Sequence, residues 1–129
     1  MMIPLNSSSQ KKRPPLELLS IKLYSTGLNK VYTKHIYKSM NHNFGVEIVI
    51  RNNTSKLQHM KIVGYIYDKH GEAVTRWNRM KKIDQHGMMA YDFYVKEENF
   101  SRMRQGKYKI QFWINDKKVQ HEYFNITNK

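Results

Sequence analysis

Apolar and polar residues alternate with a period of two along most of this chain, and this alternation constrains the fold more than any other feature. The segment FGVEIVIRN is the clearest case, because its large apolar residues fall on one face: Phe44, Val46, Ile48 and Ile50. Successive side chains of a β-strand point to opposite faces, so the pattern predicts a half-buried strand. The helical period of about 3.6 residues is nowhere sustained beyond about one turn. The sequence therefore predicts an all-β chain.

The same alternation predicts about seven strands, separated by turn residues such as Gly, Asn and Asp. They fall at residues 17–24, 44–52, 59–68, 73–83, 88–95, 106–114 and 119–127. The segment 59–68 is apolar on both faces, which suits a central position in a sheet. In the first strand, Leu19, Ile21 and Leu23 are expected on the buried face.

Three connections complete this outline. The segment VYTKHIYK, residues 31–38, forms either a short strand or a loop with apolar anchors. The polar segment KEENFSRMRQG predicts one helical turn anchored by Phe100 and Met103, which are three residues apart. The Asn-Asp-Lys-Lys turn at residues 115–118 joins the last two strands into a hairpin.

The chain has 129 residues and no cysteine, so burial and strand pairing must supply its stability. This length suits one hydrophobic core. Residues 1–16 are basic, rich in Ser and interrupted by Pro4, Pro14 and Pro15, which predicts a disordered or extended N-terminal arm before a domain at residues 17–129. No signal-peptide pattern or membrane-spanning apolar run is present, so a cytoplasmic or virion-associated location is expected.

The net charge of +13 belongs mainly to the predicted domain. Residues 1–17 contribute only +2, from Lys11, Lys12, Arg13 and Glu17, which leaves +11 for the rest of the chain. A basic surface attracts nucleic acid, acidic proteins or anionic membranes over long range. The alternative is that the lysines simply keep an ordinary domain in solution.

The C-terminal residues resemble the last hairpin of bacterial immunoglobulin-like modules. Gly106, Tyr108, an alternating apolar strand, the Asn-Asp-Lys-Lys turn and a closing strand with Phe124 and Ile126 carry the likeness. It extends over residues 18–127 and implies an immunoglobulin-like antiparallel β-sandwich. Free-standing modules of this kind resemble accessory parts of larger complexes, including bacteriophage particles. Antibody-type cysteines are absent, so the resemblance concerns the fold and names no function.

The sequence shows no recognisable arrangement for catalysis or metal binding. No two of the six histidines lie two to four residues apart: His35, His42, His59, His70, His86 and His121. The carboxylates are scattered, and no nucleophile elbow or glycine-rich phosphate loop occurs. We therefore expect no enzymatic activity, no cofactor, no metal and no small-molecule substrate.

Basic and aromatic residues alternate on two of the predicted strands. Opposite the core, the strand GKYKIQFWI would present Lys107, Lys109 and Trp113. On the strand AVTRWNRMKKI, a single face would carry Trp77, Arg79 and Lys81. If both strands lie in one sheet, these side chains form a platform suited to phosphate contacts and base stacking, or to an acidic protein. The alternative is that the indoles cover a sheet edge or lie under a loop, while the lysines protect exposed edges.

Three functions follow from these patterns. The first is a non-enzymatic structural or adaptor module that docks on a larger protein assembly, such as a phage particle, through sheet edges, loops and an arm carrying Lys11, Lys12 and Arg13. The second is a basic nucleic-acid-binding β domain that uses the Lys, Arg and Trp platform. Carbohydrate binding ranks third, because it rests only on exposed aromatic residues. Clustering of the basic residues on one surface would favour the second function, and scatter would favour the first.

Overall fold

The alternating segments form strands in a computed structural model, which describes residues 13–26, 30–41 and 43–128. Within these ranges the chain forms nine strands and one short helix. In chain order they are β1 (Leu16–Ser25), β2 (Val31–Tyr32), β3 (His35–Tyr37), β4 (Phe44–Asn52), β5 (Gln58–Tyr67), β6 (Ala73–Ile83), β7 (Met88–Val95), α1 (Glu97–Arg102), β8 (Gly106–Ile114) and β9 (Lys117–Thr127). All seven predicted strands are present, and the segment 31–38 contributes the short strands β2 and β3.

The strands form two sheets that pack face to face as a β-sandwich. One sheet has four strands in the order β2-β1-β4-β7, and the other has five in the order β3-β9-β8-β5-β6. Every pairing is antiparallel except that of β3 with β9. The predicted all-β sandwich is confirmed, and β5 takes the predicted interior position between β8 and β6.

The core lies between the inner faces of the two sheets. The alternating residues of β4 meet those of β8, and the largest fully buried side chains include Phe44, Phe93, Phe112 and Phe124. The predicted anchors Phe100 and Met103 are each 2% exposed, so α1 and the residue after it close one end of the core. Burial of this apolar surface is the main stabilising contribution in a chain without disulfides.

The first strand departs from the predicted alternation. Its register against β4 shifts between Leu18 and Ser20, which places Leu19 at a β-bulge. Leu18 is therefore the buried residue, together with Ile21 and Leu23, while Leu19 is only half-buried. The prediction that Leu19 faces the core was wrong because an extra residue at a bulge reverses the alternation on one side of it.

The hairpin between β8 and β9 has the predicted position but a tighter turn. Asn115 and Asp116 occupy the two turn positions with φ of 50° and 66°, and Lys117 and Lys118 already belong to β9. Two-residue hairpin loops need left-handed backbone at both positions, which Asn and Asp tolerate. The turn therefore fixes the register of the strand residues next to it, as far as the register shift between Gln111 and Trp113.

Little of the predicted N-terminal arm lies within the described ranges. Lys11 and Lys12 fall outside them, and Arg13 is exposed. The carbonyl groups of Pro14 and Pro15 accept hydrogen bonds from the side chain and backbone of Asn53, at 2.9 and 2.8 Å. The described part of the arm is thus bound to the turn that follows β4.

Candidate functional site

Trp77 faces the core, which corrects the predicted platform. Its side chain is 4% exposed, its ring stacks on Phe112 at 6.0 Å between centroids, and its Nε1 donates a hydrogen bond to the carbonyl of Tyr94 at 3.0 Å. Gly64 makes this packing feasible, because a Cβ there would lie 2.6 Å from the Phe112 ring and 2.9 Å from Trp77. Arg79 and Lys81 are exposed, but they lie on the inward-facing side of the edge strand β6.

The outer face of the five-stranded sheet carries a cluster of aromatic side chains. Tyr65 and Tyr67 stack at 5.6 Å between ring centroids, and Trp113 meets Tyr65 edge-on at 5.5 Å. Tyr123 on β9 is 44% exposed. We call this outer surface of strands β5, β6, β8 and β9 the basic face, because cations surround these rings.

Cations occupy the outward positions on each of the four strands of the basic face. They are Lys61, Arg76, Lys82, Lys107, Lys109 and Lys118. None of the outward strand positions of β5, β6, β8 and β9, all of which the structure describes, holds an Asp or Glu. Within the described ranges, Lys61 is the member of this set that forms an ion pair, with Asp116 in the β8–β9 turn at 2.7 Å. The remaining five cations keep their charge available to a ligand.

Strand register explains how cations and rings come to alternate. Residues paired across antiparallel strands share a face, so Lys109 on β8 lies between Tyr67 on β5 and Tyr123 on β9. Two cations also lie over rings: Lys107 Nζ is 4.5 Å from the Tyr123 centroid, and the Arg76 guanidinium carbon is 5.7 Å from that of Tyr65. Such contacts hold the long side chains over the sheet.

A groove of about 540 Å³ runs along this surface, and we call it the sheet groove. Its lining includes Tyr67, Lys107, Lys109, Trp113, Lys118 and Tyr123. Burial raises the pKa of the Tyr67 hydroxyl above its ordinary value, so this ring stays neutral at physiological pH.

Gln111 forms part of the sheet groove between Lys109 and Trp113, and it is only 1% exposed. Its Nε2 donates hydrogen bonds to the carbonyls of Phe112 and Gln120, at 3.1 and 2.9 Å. The β8–β9 register shifts at this point, and the amide holds the two strands together across the irregularity. Gln111 therefore fixes the strand that presents Trp113.

Three of the six predicted surface residues, Lys107, Lys109 and Trp113, do come together in the sheet groove. Sequence reasoning missed their neighbours Tyr65, Tyr67, Arg76, Lys118 and Tyr123. A signal existed for Tyr65, Tyr67, Arg76 and Tyr123, which occupy outward positions by the period-two rule. Lys118 faces outward because the β8–β9 register shifts between Gln111 and Trp113, and the alternation gave no signal for it. Without strand order, however, nothing indicated that β5 and β9 would flank β8.

In the part of the chain that the structure describes, no three His, Asp or Glu side chains are grouped so that they could hold a metal ion. The helix α1, within the same ranges, is six residues long and far too short to cross a membrane.

The sequence matches no family model and no curated protein. Solved structures similar to this chain include an alkylpurine DNA glycosylase from Pseudomonas fluorescens, bound to DNA containing an abasic site analogue. It has a TM-score of 0.63 and 7% identity over 90% of this chain. A red sea bream transglutaminase has a TM-score of 0.63 and 9% identity over 96% of the chain.

A β-glucuronidase of glycoside hydrolase family 2 is also similar, with a TM-score of 0.60 and 14% identity over 88% of this chain. The chain spans only 31% of the glycosylase, 18% of the transglutaminase and 13% of the glucuronidase. At these identities the likeness is one of β-sandwich fold alone.

Proposed function

We propose that this protein is a non-enzymatic binding module that takes a nucleic acid on its basic face. The observation that carries the proposal is the clustering of five cations among partly exposed aromatic rings. Within the described ranges these five cations form no ion pair, and the outward strand positions hold no Asp or Glu. Phosphate groups bind such lysines by releasing condensed counterions, and bases stack on Tyr and Trp rings. The surface supplies both kinds of contact side by side.

The decisive measurement is binding of mixed-sequence DNA or RNA by fluorescence anisotropy. We expect micromolar or tighter binding at about 50 mM salt, because several phosphate contacts act together. The logarithm of the association constant should fall with the logarithm of salt concentration, with a slope of about −2 to −3 for three or four phosphates on a single strand. Absence of binding at about 50 mM salt would overturn the proposal.

A second candidate function, docking on a larger protein assembly, is supported by a different surface. Met88 and Met89 on β7 are 59% and 49% exposed, and within the described ranges β7 is an edge strand of the four-stranded sheet. Exposed methionines adapt to varied apolar partners, and free strand edges can pair with an added strand. The arm residues Lys11, Lys12 and Arg13 would add contacts to an acidic partner.

Replacement of Met88 and Met89 by Ser separates these two candidates. It should abolish capture of the partner assembly from the native source if the edges dock on protein, and leave nucleic-acid affinity unchanged. If the same change weakens nucleic-acid binding instead, the edge belongs to the nucleic-acid surface and the adaptor proposal fails.

The proposal extends to the class of the sandwich, which we infer is immunoglobulin-like. The support comes from Tyr108, near the start of the penultimate long strand, whose Oη donates a 2.6 Å hydrogen bond to the carbonyl of Arg104. This is the geometry of the tyrosine corner that stabilises a crossing between the sheets of such domains. Loss of this bond in Tyr108→Phe should cost about 1 to 2 kcal/mol of unfolding free energy. No loss on urea denaturation would remove this support.

The glycosylase that resembles this chain was solved with DNA. Similar sandwiches also occur in a transglutaminase and a glycosidase, so the likeness in fold does not choose among ligands. The choice of nucleic acid rests on the side chains of the basic face.

A further inference from the structure

A second groove adjoins the basic face at one end of the sandwich. It lies between the β5–β6 turn and the segment that leads from α1 into β8, and it measures about 370 Å³. Its cationic side chains are Lys69, Arg102, Arg104 and Lys107. We call it the end groove.

The two grooves are continuous, because Asp68, Lys69, Lys107 and Tyr108 line both of them. Lys69, Arg102 and Arg104 are exposed, and within the described ranges none of them lies within 4 Å of a carboxylate. Cations therefore continue from Lys118 and Lys109 on the sheet to Arg104 at the end of the domain.

Asp68 is the carboxylate that lines both grooves. Its Oδ1 accepts hydrogen bonds from the backbone N–H groups of Glu72 and His70, at 3.0 and 2.8 Å. These bonds hold the pKa of Asp68 below its ordinary value. They also tie the carboxylate into its own turn, so it organises the loop that carries Lys69.

We infer, on the basis of the proposed function, that the ligand is a single strand whose phosphates follow this continuous track while its bases stack on the rings of the sheet groove. Two observations favour a single strand over a duplex. The partly exposed rings of Tyr67 and Trp113 can stack only on base faces that are free, and in a duplex neighbouring pairs cover those faces. The track also turns from the outer face of the sheet to the end of the sandwich.

That turn takes place within one small domain. Duplex DNA has a persistence length of about 50 nm, so bending it over a domain only a few nanometres across is costly. A single strand bends freely and can follow both grooves. The end groove thus extends the binding site and sets its length.

The test compares single-stranded oligonucleotides of about 6 and about 16 nucleotides, which span the site sizes known for single-strand binders, with a duplex of the longer sequence. The wild-type protein should bind the long strand at least about tenfold more tightly than the short strand or the duplex. Arg102→Ala combined with Arg104→Ala changes two residues that line the end groove and not the sheet groove. This variant should lose the gain with length and keep short-strand affinity within about twofold.

Lys22→Ala combined with Lys56→Ala is the matched control, because both lysines are exposed and line neither groove. It removes the same charge and should preserve the dependence on length. Circular dichroism of each variant checks the fold. If strand and duplex bind equally and the Arg102 and Arg104 changes act like the control, the single-strand track is wrong and nucleic-acid binding by the basic face stands. If no nucleic acid binds at about 50 mM salt, the proposed function itself fails.

Discussion

The outward strand positions of the four-stranded sheet include the carboxylates Glu47 and Asp92, whereas the outward strand positions of β5, β6, β8 and β9 hold no Asp or Glu. Lys30 Nζ lies 2.9 Å from Glu47 and 3.4 Å from Asp92, and Lys22 is the cross-strand neighbour of Glu47. We call this outer surface of β2, β1, β4 and β7 the paired face. Its charges are met by residues of the same chain, so it has little charge to offer a ligand.

The aromatic residues of the two faces differ in the same way. Tyr24 on the paired face is 3% exposed, lies over Gly45 and donates a 2.9 Å hydrogen bond from its Oη to Asp92. Trp113 and Tyr67 on the basic face are only partly covered and line an open groove. Both faces follow from the same period-two alternation of side chains. Their outward residues differ, and they cover Tyr24 on the paired face but leave Trp113 and Tyr67 on the basic face accessible to a ligand.

The largest expected effect is a loss of nucleic-acid affinity, and it tests whether the basic face is the face that binds. Trp113→Ala with Lys109→Ala removes one stacking surface and one phosphate contact from the basic face, and we expect affinity for single-stranded nucleic acid to fall about a hundredfold. Anisotropy titrations at fixed low salt measure this loss.

The paired face offers a matched control. Tyr32 is 49% exposed with Lys22 Nζ 5.5 Å from its ring centroid, so Tyr32→Ala with Lys22→Ala also removes one ring and one cation. Affinity should change less than about twofold. Equal losses from both double variants would show that total charge, not the basic face, governs binding.

The next effect concerns stability and the paired face. A Cβ at Gly45 would lie 2.3 Å from the Tyr24 ring, so Gly45→Ala must displace a buried tyrosine. We expect a loss of about 2 kcal/mol in unfolding free energy. Urea denaturation measures it. Gly71→Ala is the control. Gly71 lies at an exposed turn with φ of 81°, and a Cβ there meets no atom within 4 Å, so this change measures backbone strain without displacing a ring. In a Tyr24→Ala background, Gly45→Ala should cost much less than in wild type, and an undiminished cost would contradict the proposed clash.

The sequence predicted the sandwich well because the alternation is a local signal that survives in every long strand. It failed at Leu19, where the bulge depends on pairing with β4. It also failed at Trp77, since burial there depends on Gly64 leaving room on a neighbouring strand. Half of the candidate surface was predicted, and the rest required strand order, which the alternation does not encode.

Tyrosine ionisation at alkaline pH should test the burial of Tyr24 on the paired face. Burial, followed by hydrogen bonding with Tyr94 and Asp92, raises the pKa of Tyr24 well above the ordinary value of 10. Because the folded-state pKa is raised, the stabilisation is fully present below about pH 10 and declines above it as the unfolded chain loses protons. Each such tyrosine lowers the unfolding free energy by up to about 1.4 kcal/mol per pH unit.

Burial also raises the pKa of Tyr91 and Tyr108, so part of the alkaline slope will remain in any single variant. Tyr24→Phe should reduce the slope of unfolding free energy against pH by about the contribution of one tyrosine. Urea titrations between pH 9 and about pH 11 measure the slopes of wild type and Tyr24→Phe. Identical slopes in wild type and Tyr24→Phe would contradict this assignment.

The smallest expected effect is a loss of stability on replacement of Lys30, the cation that lies near Glu47 and Asp92 on the paired face. Glu47 and Asp92 are direct cross-strand neighbours, and like charges in that position repel each other. Hydrogen bonding to Glu47 raises the pKa of Lys30, whose ammonium lies near both carboxylates. Lys30→Met should therefore cost about 0.5 kcal/mol at low salt and less at about 1 M salt, where exposed charges are screened. Glu47→Gln in the Lys30→Met background should recover most of that loss, because it removes one of the two repelling charges. If Glu47→Gln gives no recovery, water already screens the repulsion between Glu47 and Asp92. The paired face then differs from the basic face in which charged residues it carries, and it does not need Lys30 to offset a repulsion.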